Sequence, residues 1–378
     1  MKVQFNTMEM KEIYDRGVIN VGNLARMNLV MKKAKSGEAI TIGFIGGSIT
    51  AGAAASTDQN CYANLVSDWW KYKFPQSEVT YINAGVGATN SKFGVARVWE
   101  DLLSGQPDIV FAEFSVNDED TEVFQETFEG LIRKILLHPS EPALFMLNNT
   151  FYDDGRSAQR VHNEIGKFYE LPIVSIRESI YAEIQKGTID STEITADNLH
   201  PNDTGHKLLA GVIKNLLDMI YAVVMQKLVE KAVYQVPVET VTKNRYFSSV
   251  RHNAKSSEPV LKGFVKDTKT KQNQWDVFRY GWTAGAEGSS ITFEVEASKI
   301  AIQYCKYAVH PAPIAQVVID KEESKAVVLD ANFDETWGNC LYLQDIMDTE
   351  DYQKHSVTIT ITKAAEGVEF YLASVITV

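Results

Sequence analysis

The sequence predicts an α/β domain built on a parallel sheet, followed by an all-β sandwich. Three observations carry this. From about Ile40 to Val224, short apolar runs alternate with segments whose apolar residues recur at helical spacing, the pattern of strands joined by crossover helices. From about Pro237 the period becomes two: Ile291, Phe293 and Val295 lie between Thr292, Glu294 and Glu296, and Val357, Ile359 and Ile361 between threonines. A chain of 378 residues also accommodates two domains of ordinary size.

Taken in order, residues 22–35 read as a helix, and residues 1–6 as a strand that either domain could take up. The run 40–45 reads as a buried strand ending in Gly46-Gly47-Ser48. Further strands are expected over 79–83, 108–114, 143–148 and 172–176. After His206, Leu209, Val212, Ile213 and Leu216 fall on one helical face. Val317-Val318-Ile319, Val327-Val328-Leu329 and residues 368–378 extend the second, all-β series. The expected division is 1–236, with 1–38 as an N-terminal extension, and 237–378. Trp69, Trp70 and Trp99 lie in helical segments and are expected in the core. For Trp275, Tyr280, Trp282 and Trp337 in the β domain the default is also core, with sugar stacking as the alternative.

A net charge of −12 with no basic cluster disfavours nucleic acid and anionic lipid as partners. Residues 1–17 lack an apolar segment of signal-peptide type, and no stretch is expected to span a bilayer. Cys61, Cys305 and Cys340 are widely spaced and odd in number, which suits neither a disulfide framework nor a metal cluster. A reduced, cytoplasmic setting without metal or other cofactor is therefore expected. A homo-oligomer remains open.

The residues suited to chemistry fall at expected strand ends, where open parallel sheets bind ligands. Ser48 lies in Gly46-Gly47-Ser48-Ile49-Thr50-Ala51-Gly52, with small neighbours that allow a sharp turn and close approach of a carbonyl. No lysine follows the glycines, so this is no phosphate loop. Thr50 stands where the α/β-hydrolase elbow requires glycine. Asp197-Asn198-Leu199-His200-Pro201 could hold a carboxylate against an imidazole within one loop, the arrangement that activates a serine. An Asx turn beside a surface histidine is the plain alternative. Ser115-Val116-Asn117-Asp118 offers a side-chain amide to an oxyanion, unless Asn117 and Asp118 merely cap the next helix. Asn83 to Asn90 is glycine-rich and exposes backbone N–H groups, or is simply a tight turn. His206 suits a structural role at a helix start.

In this order, the four segments resemble the blocks of the SGNH (GDSL-like) hydrolase superfamily across about residues 40–225: Gly46 to Thr50, Asn83 to Thr89, Val116-Asn117-Asp118, and Asp197 to His200. The resemblance implies a three-layer α/β/α fold, with Ser48 as nucleophile, His200 as general base and acid, and Asp197 as its orienter. It also implies an oxyanion hole from the Ser48 amide, a second-block amide and the Asn117 side chain. The family's usual Asp before the nucleophile is Gly47 here. Its oxyanion glycine aligns with Ala88, with Gly87 just before, so either N–H is a candidate.

A β-sandwich attached to such a domain resembles carbohydrate esterases, and the whole arrangement resembles the acetyl-mannan esterases of carbohydrate esterase family 17. That implies removal of acetyl groups from acetylated oligosaccharides. Trp337, in Asp334-Glu335-Thr336-Trp337-Gly338, reads as loop-borne and is the candidate sugar contact. A thioesterase or lipase for acyl chains and a non-catalytic sugar-binding protein are the competing readings.

Overall fold

The computed structural model describes residues 7–226, 233–270, 272–273, 275–335 and 337–378. The strand expected over 1–6 lies outside them. The chain divides into two compact units, Met1–Phe247 and Ser248–Val378.

In the first unit the order is α1 (Thr7–Arg16), β1 (Val18–Asn20), α2 (Ala25–Lys35), β2 (Ile40–Gly46), α3 (Ser48–Ala51), α4 (Tyr62–Lys73), β3 (Val79–Gly85), α5 (Ser91–Asp101) and β4 (Ile109–Glu113). Then follow α6 (Glu122–Leu136), β5 (Ala143–Asn148), α7 (Gln159–Phe168), β6 (Ile173–Ser175), α8 (Ala182–Gln185) and α9 (Asp203–Met225). The sheet order is β1-β6-β5-β4-β2-β3. Every pairing is parallel except β1 with β6. Helices α1, α2, α4 and α9 pack on one face, and α5, α6 and α7 on the other.

Burial on both faces explains the near-continuous apolar runs of β2 and β4. In-register Phe44, Phe111 and Phe145 form a ring ladder across three strands, with centroids 4.9 and 5.0 Å apart. Losing one such ring costs about 3–5 kcal/mol. Strand β2 lies between β3 and β4, so the connections after it diverge to either side, and its carboxyl end is the switch point at which open α/β sheets bind ligands.

Three expectations are corrected here. Helix α9 is long and apolar enough to cross a membrane by length and composition. It buries Leu209, Val212, Ile213, Leu216, Leu217 and Ile220 in the core of this unit. Trp99, on α5, is 58% exposed, whereas Trp69 and Trp70 are buried. The boundary between units falls after Phe247 rather than before Pro237, because α6 holds the intervening segment. Glu129 accepts from the N–H groups of Val241 and Thr242, Glu126 pairs with Arg245, and Arg133 donates to the Pro237 carbonyl.

The second unit contains β7 (Val250–His252), β8 (Val260–Lys262), β9 (Val265–Lys266), β10 (Trp282–Ala284), β11 (Ser290–Lys306), β12 (Ile314–Ile319), β13 (Val327–Asp330), β14 (Cys340–Lys363) and β15 (Phe370–Thr377). All pair antiparallel in one sheet. The sandwich arises because β11 and β14 each run through both layers. Ile291, Phe293, Val295 and Ala297 face the core, then Ile300, Ile302 and Tyr304 face the same core after the parity flips at a bulge near Lys299. One layer is β13-β12-β14-β11-β8; the other continues β14-β11 through β15 to β10 and β7. Trp282 is fully buried at its centre, while Trp275 and Trp337 are 52% and 57% exposed. Trp337 lies in the loop between β13 and β14, edge-on to Phe333.

Candidate active site

Ser48 opens α3 directly after β2, and three glycines make the turn possible. A Cβ on Gly46 would meet Thr50 Oγ1 at 2.2 Å, and one on Gly85, at the end of β3, would meet the Ala51 nitrogen at 2.2 Å. On Gly47, a Cβ would meet Asn117 Oδ1 at 2.1 Å. Glycine at that position therefore lets the Asn117 amide lie against the nucleophile turn.

The loop before α9 brings the other partners. Asn198 takes a left-handed conformation (φ 62°), and Thr195 bridges Pro201, folding the segment back on itself. Asn202 caps α9 by accepting from the N–H groups of Thr204 and Gly205. The Tyr152 N–H binds the Asn198 carbonyl at 2.7 Å and ties the loop to the end of β5. Held in this way, His200 places Nε2 2.8 Å from Ser48 Oγ and Nδ1 2.6 Å from Asp197 Oδ2. Asp197 Oδ1 accepts from the N–H groups of Leu199 (3.0 Å) and His200 (2.8 Å). Partial burial alone would raise the Asp197 pKa. The His200 ring, the His200 and Leu199 N–H groups and the imidazole charge outweigh it and hold the carboxyl at about 2. It is therefore a carboxylate at neutral pH.

The second-block turn runs alongside. Asn83 donates to the Thr50 carbonyl at 2.8 Å, joining β3 to α3, and a Cβ on Gly87 would lie 3.8 Å from Ser48 Cβ. Ala88 is left-handed (φ 55°). Neither residue spends its N–H on a hydrogen bond among the described residues. The Asn117 amide lies against Gly47, and its Oδ1 is buried with no partner among the described residues. Asp118 does not cap α6, which begins at Glu122 after Thr121. It accepts from the Ser91 N–H at 2.8 Å and lies 3.0 Å from buried His162, fixing the Asn117 loop to α5 and α7. His206 is buried against Tyr62, whose N–H it accepts at 3.3 Å, and burial lowers its pKa to about 4.

This arrangement can carry out one chemistry readily: proton removal from a serine hydroxyl by an oriented imidazole, beside unpaired N–H groups and a side-chain amide. Sequence reasoning missed Glu113 and Tyr152. An acid at a strand end ordinarily signals a solvated cap, and only the topology buries Glu113 behind α3.

A model of the GDSL-like lipase/acylhydrolase family matches residues 44–208. Two solved structures of a two-domain esterase active on acetylated mannans, one co-crystallised with mannopentaose, are similar over both units. They share 46% identity and a TM-score of 0.90, covering 96% of this chain and 97% and 98% of theirs. Acetylxylan esterase of Geobacillus stearothermophilus is 23% identical over 206 residues, 47% of this chain and 93% of that one. Thioesterase 1/protease 1/lysophospholipase L1 of Escherichia coli (strain K12) is 23% identical over 208 residues, 51% and 93% respectively.

Proposed function

The chain belongs to the GDSL-like lipase/acylhydrolase family and is a carboxylic ester hydrolase; from that premise we propose that it removes O-acetyl groups from carbohydrate, with acetylated manno-oligosaccharides as substrates. The observation that carries this proposal is the unbroken relay Ser48–His200–Asp197, at 2.8 and 2.6 Å, in a chain similar end to end to an esterase active on acetylated mannans.

In the proposed mechanism His200 Nε2 takes the Ser48 proton as Oγ attacks the acetyl carbonyl. The carboxylate of Asp197 keeps the proton on Nδ1, so Nε2 remains an acceptor, and stabilises the imidazolium that forms. The developing oxyanion is met by the N–H of Ser48, an N–H of Gly87 or Ala88, and the Asn117 side chain. His200 then returns its proton to the departing sugar oxygen, leaving acetyl-Ser48. Water, deprotonated by the same imidazole, attacks the acetyl carbonyl; the bond to Ser48 Oγ breaks as His200 returns that proton to it, releasing acetate and restoring the serine. Trp337 offers an exposed ring for the sugar, which supports assigning it a substrate contact.

The test is an acyl-length series of 4-nitrophenyl esters, followed by acetylated manno-oligosaccharides with products read by NMR. Acetate preferred over longer chains, with acetyl signals lost from mannosyl residues, is the expected result. Rates rising with acyl length would favour a thioesterase or lipase instead.

A further inference from the structure

One buried acid at the site-bearing edge takes no part in the proton relay. Glu113 closes β4 and is fully buried, and its backbone pairs with Gly46, two residues before Ser48. Its side chain lies where three segments of the site meet. Thr50 Oγ1, in the helix that Ser48 opens, lies 3.4 Å from Oε2 and 2.8 Å from the Tyr62 hydroxyl on α4. The Asn149 amide, just beyond β5, acts on the carboxyl, and the Ser115 N–H does so from the loop that carries Asn117. Three residues past Asn149, the Tyr152 N–H holds the Asn198 carbonyl of the triad loop.

Three buried atoms at this junction make no full hydrogen bond among the described residues: Glu113 Oε1, Asn149 Oδ1 and Asn149 Nδ2. A carboxylate only accepts, so it could serve Asn149 Nδ2–H but would leave Oδ1 bare. A neutral carboxyl has one O–H to donate and one oxygen left to accept an N–H, the complement that these three atoms lack. Leaving such groups unpaired in a low-dielectric interior is costly.

We propose that Glu113 is a positioning residue of this active site, a neutral carboxylic acid whose pairing with the Asn149 amide fixes the loops bearing Ser48, Asn117 and Asn198. The surroundings favour that protonation state. Burial pushes the Glu113 pKa up to about 7, against the lowering pull of the Asn149 amide, and the Asp118 charge adds to the rise. The other titratable groups facing it, Tyr62 on α4 and Tyr152 after β5, are themselves raised by burial and stay uncharged.

The test compares wild type with Glu113→Gln, which keeps a neutral donor and acceptor, and Glu113→Ala, which keeps neither. Its kinetic arm rests on the esterase proposal; its thermal arm does not. On 4-nitrophenyl acetate at pH 6, Glu113→Ala should lower kcat at least about tenfold with KM within about twofold, and Glu113→Gln should recover kcat to within about threefold of wild type. The ratio of Glu113→Gln to wild-type kcat should then rise toward pH 9, as the wild-type acid ionises. A Gln variant as slow as the Ala variant at pH 6, or an Ala variant with wild-type kcat, overturns the proposal.

In the thermal arm the folded-state pKa lies above the unfolded one, so wild-type stability falls as pH rises from about 4.5 to about 7. The Tm of Glu113→Gln minus that of wild type should grow by at least about 4 °C between pH 5 and pH 8. A constant difference overturns the neutral acid, and this arm decides even if Glu113→Ala does not fold. Turnover surviving in Ser48→Ala would remove the esterase proposal while leaving the thermal arm standing.

Discussion

Asp197→Asn changes almost no volume, so its effect depends on which atoms donate. Asp197 Oδ1 accepts from the N–H groups of Leu199 and His200, at 3.0 and 2.8 Å. Those donors require the amide oxygen, and the amide nitrogen is left facing His200 Nδ1. Imidazole then presents a lone pair at Nδ1 and carries its proton on Nε2, toward Ser48. The base is blocked. Turning the amide over would set donors against both N–H groups and forfeit two hydrogen bonds, about 2–3 kcal/mol together.

The loss of charge acts in the same direction. Asp197 is held at about 2 against an ordinary 3.8, a gap of roughly 2.4 kcal/mol. With the side chain 52% exposed, screening reduces what the imidazolium loses to about 1–2 kcal/mol. Together these terms come to about 3–5 kcal/mol, or a kcat lower by about 10²–10⁴. Initial rates on 4-nitrophenyl acetate, normalised by active-site titration, measure it. A loss under about tenfold, or one confined to KM, would refute the reasoning.

Asn117→Ala should lower kcat by about 10²–10³ with KM little changed, since an oxyanion contact forms in the transition state. Gly47→Ala should act in the same direction, at least about tenfold, by displacing the amide that lies 2.1 Å from the new Cβ; wild-type kcat in a folded Gly47→Ala would contradict the role given to Asn117. His206 is held at about 4 by burial against an ordinary 6.5, so the stability it supports is present above pH 6.5 and is lost as pH falls toward 4. Urea titrations should show wild type losing about 3 kcal/mol more than His206→Gln between pH 7 and pH 4, and parallel losses would argue against a buried neutral imidazole. Trp337→Ala should reduce kcat/KM on acetylated manno-oligosaccharide at least about tenfold, roughly 1.4 kcal/mol, while sparing 4-nitrophenyl acetate; equal losses on both substrates would rule out a sugar contact.

The parts of this molecule legible in the sequence are those set by local chemistry. Strand β2 with its glycine turn and the Asp-x-x-His loop announce themselves, because a few adjacent residues determine each geometry. Period-two alternation likewise exposes β11 and β14. What stayed hidden depends on distant partners. Strand β1 has three residues and no pattern of its own; β6 makes it a strand. From the sequence, residues 237–247 open the second domain, yet Glu126 and Glu129 of α6 bind them to the first unit. The bulge near Lys299 merely shifts an alternation, but it turns one sheet into two layers. Helix α9 is apolar enough for a bilayer, and only its packing against α1, α2 and α4 shows where that apolar face goes. Glu113 is hidden for the same reason, since nothing local foretells a carboxyl sealed between Thr50 and Asn149.

Trapping the intermediate bears on the mechanism without further assumptions. The enzyme, mixed with acetylated manno-oligosaccharide and quenched in acid within the first turnovers, would be digested and its peptides weighed. A single acetyl group on Ser48 is predicted, absent in Ser48→Ala, whose kcat should fall by about 10³–10⁶. An acetyl group on any other residue, or a Ser48→Ala enzyme that still turns over at the wild-type rate, would contradict it.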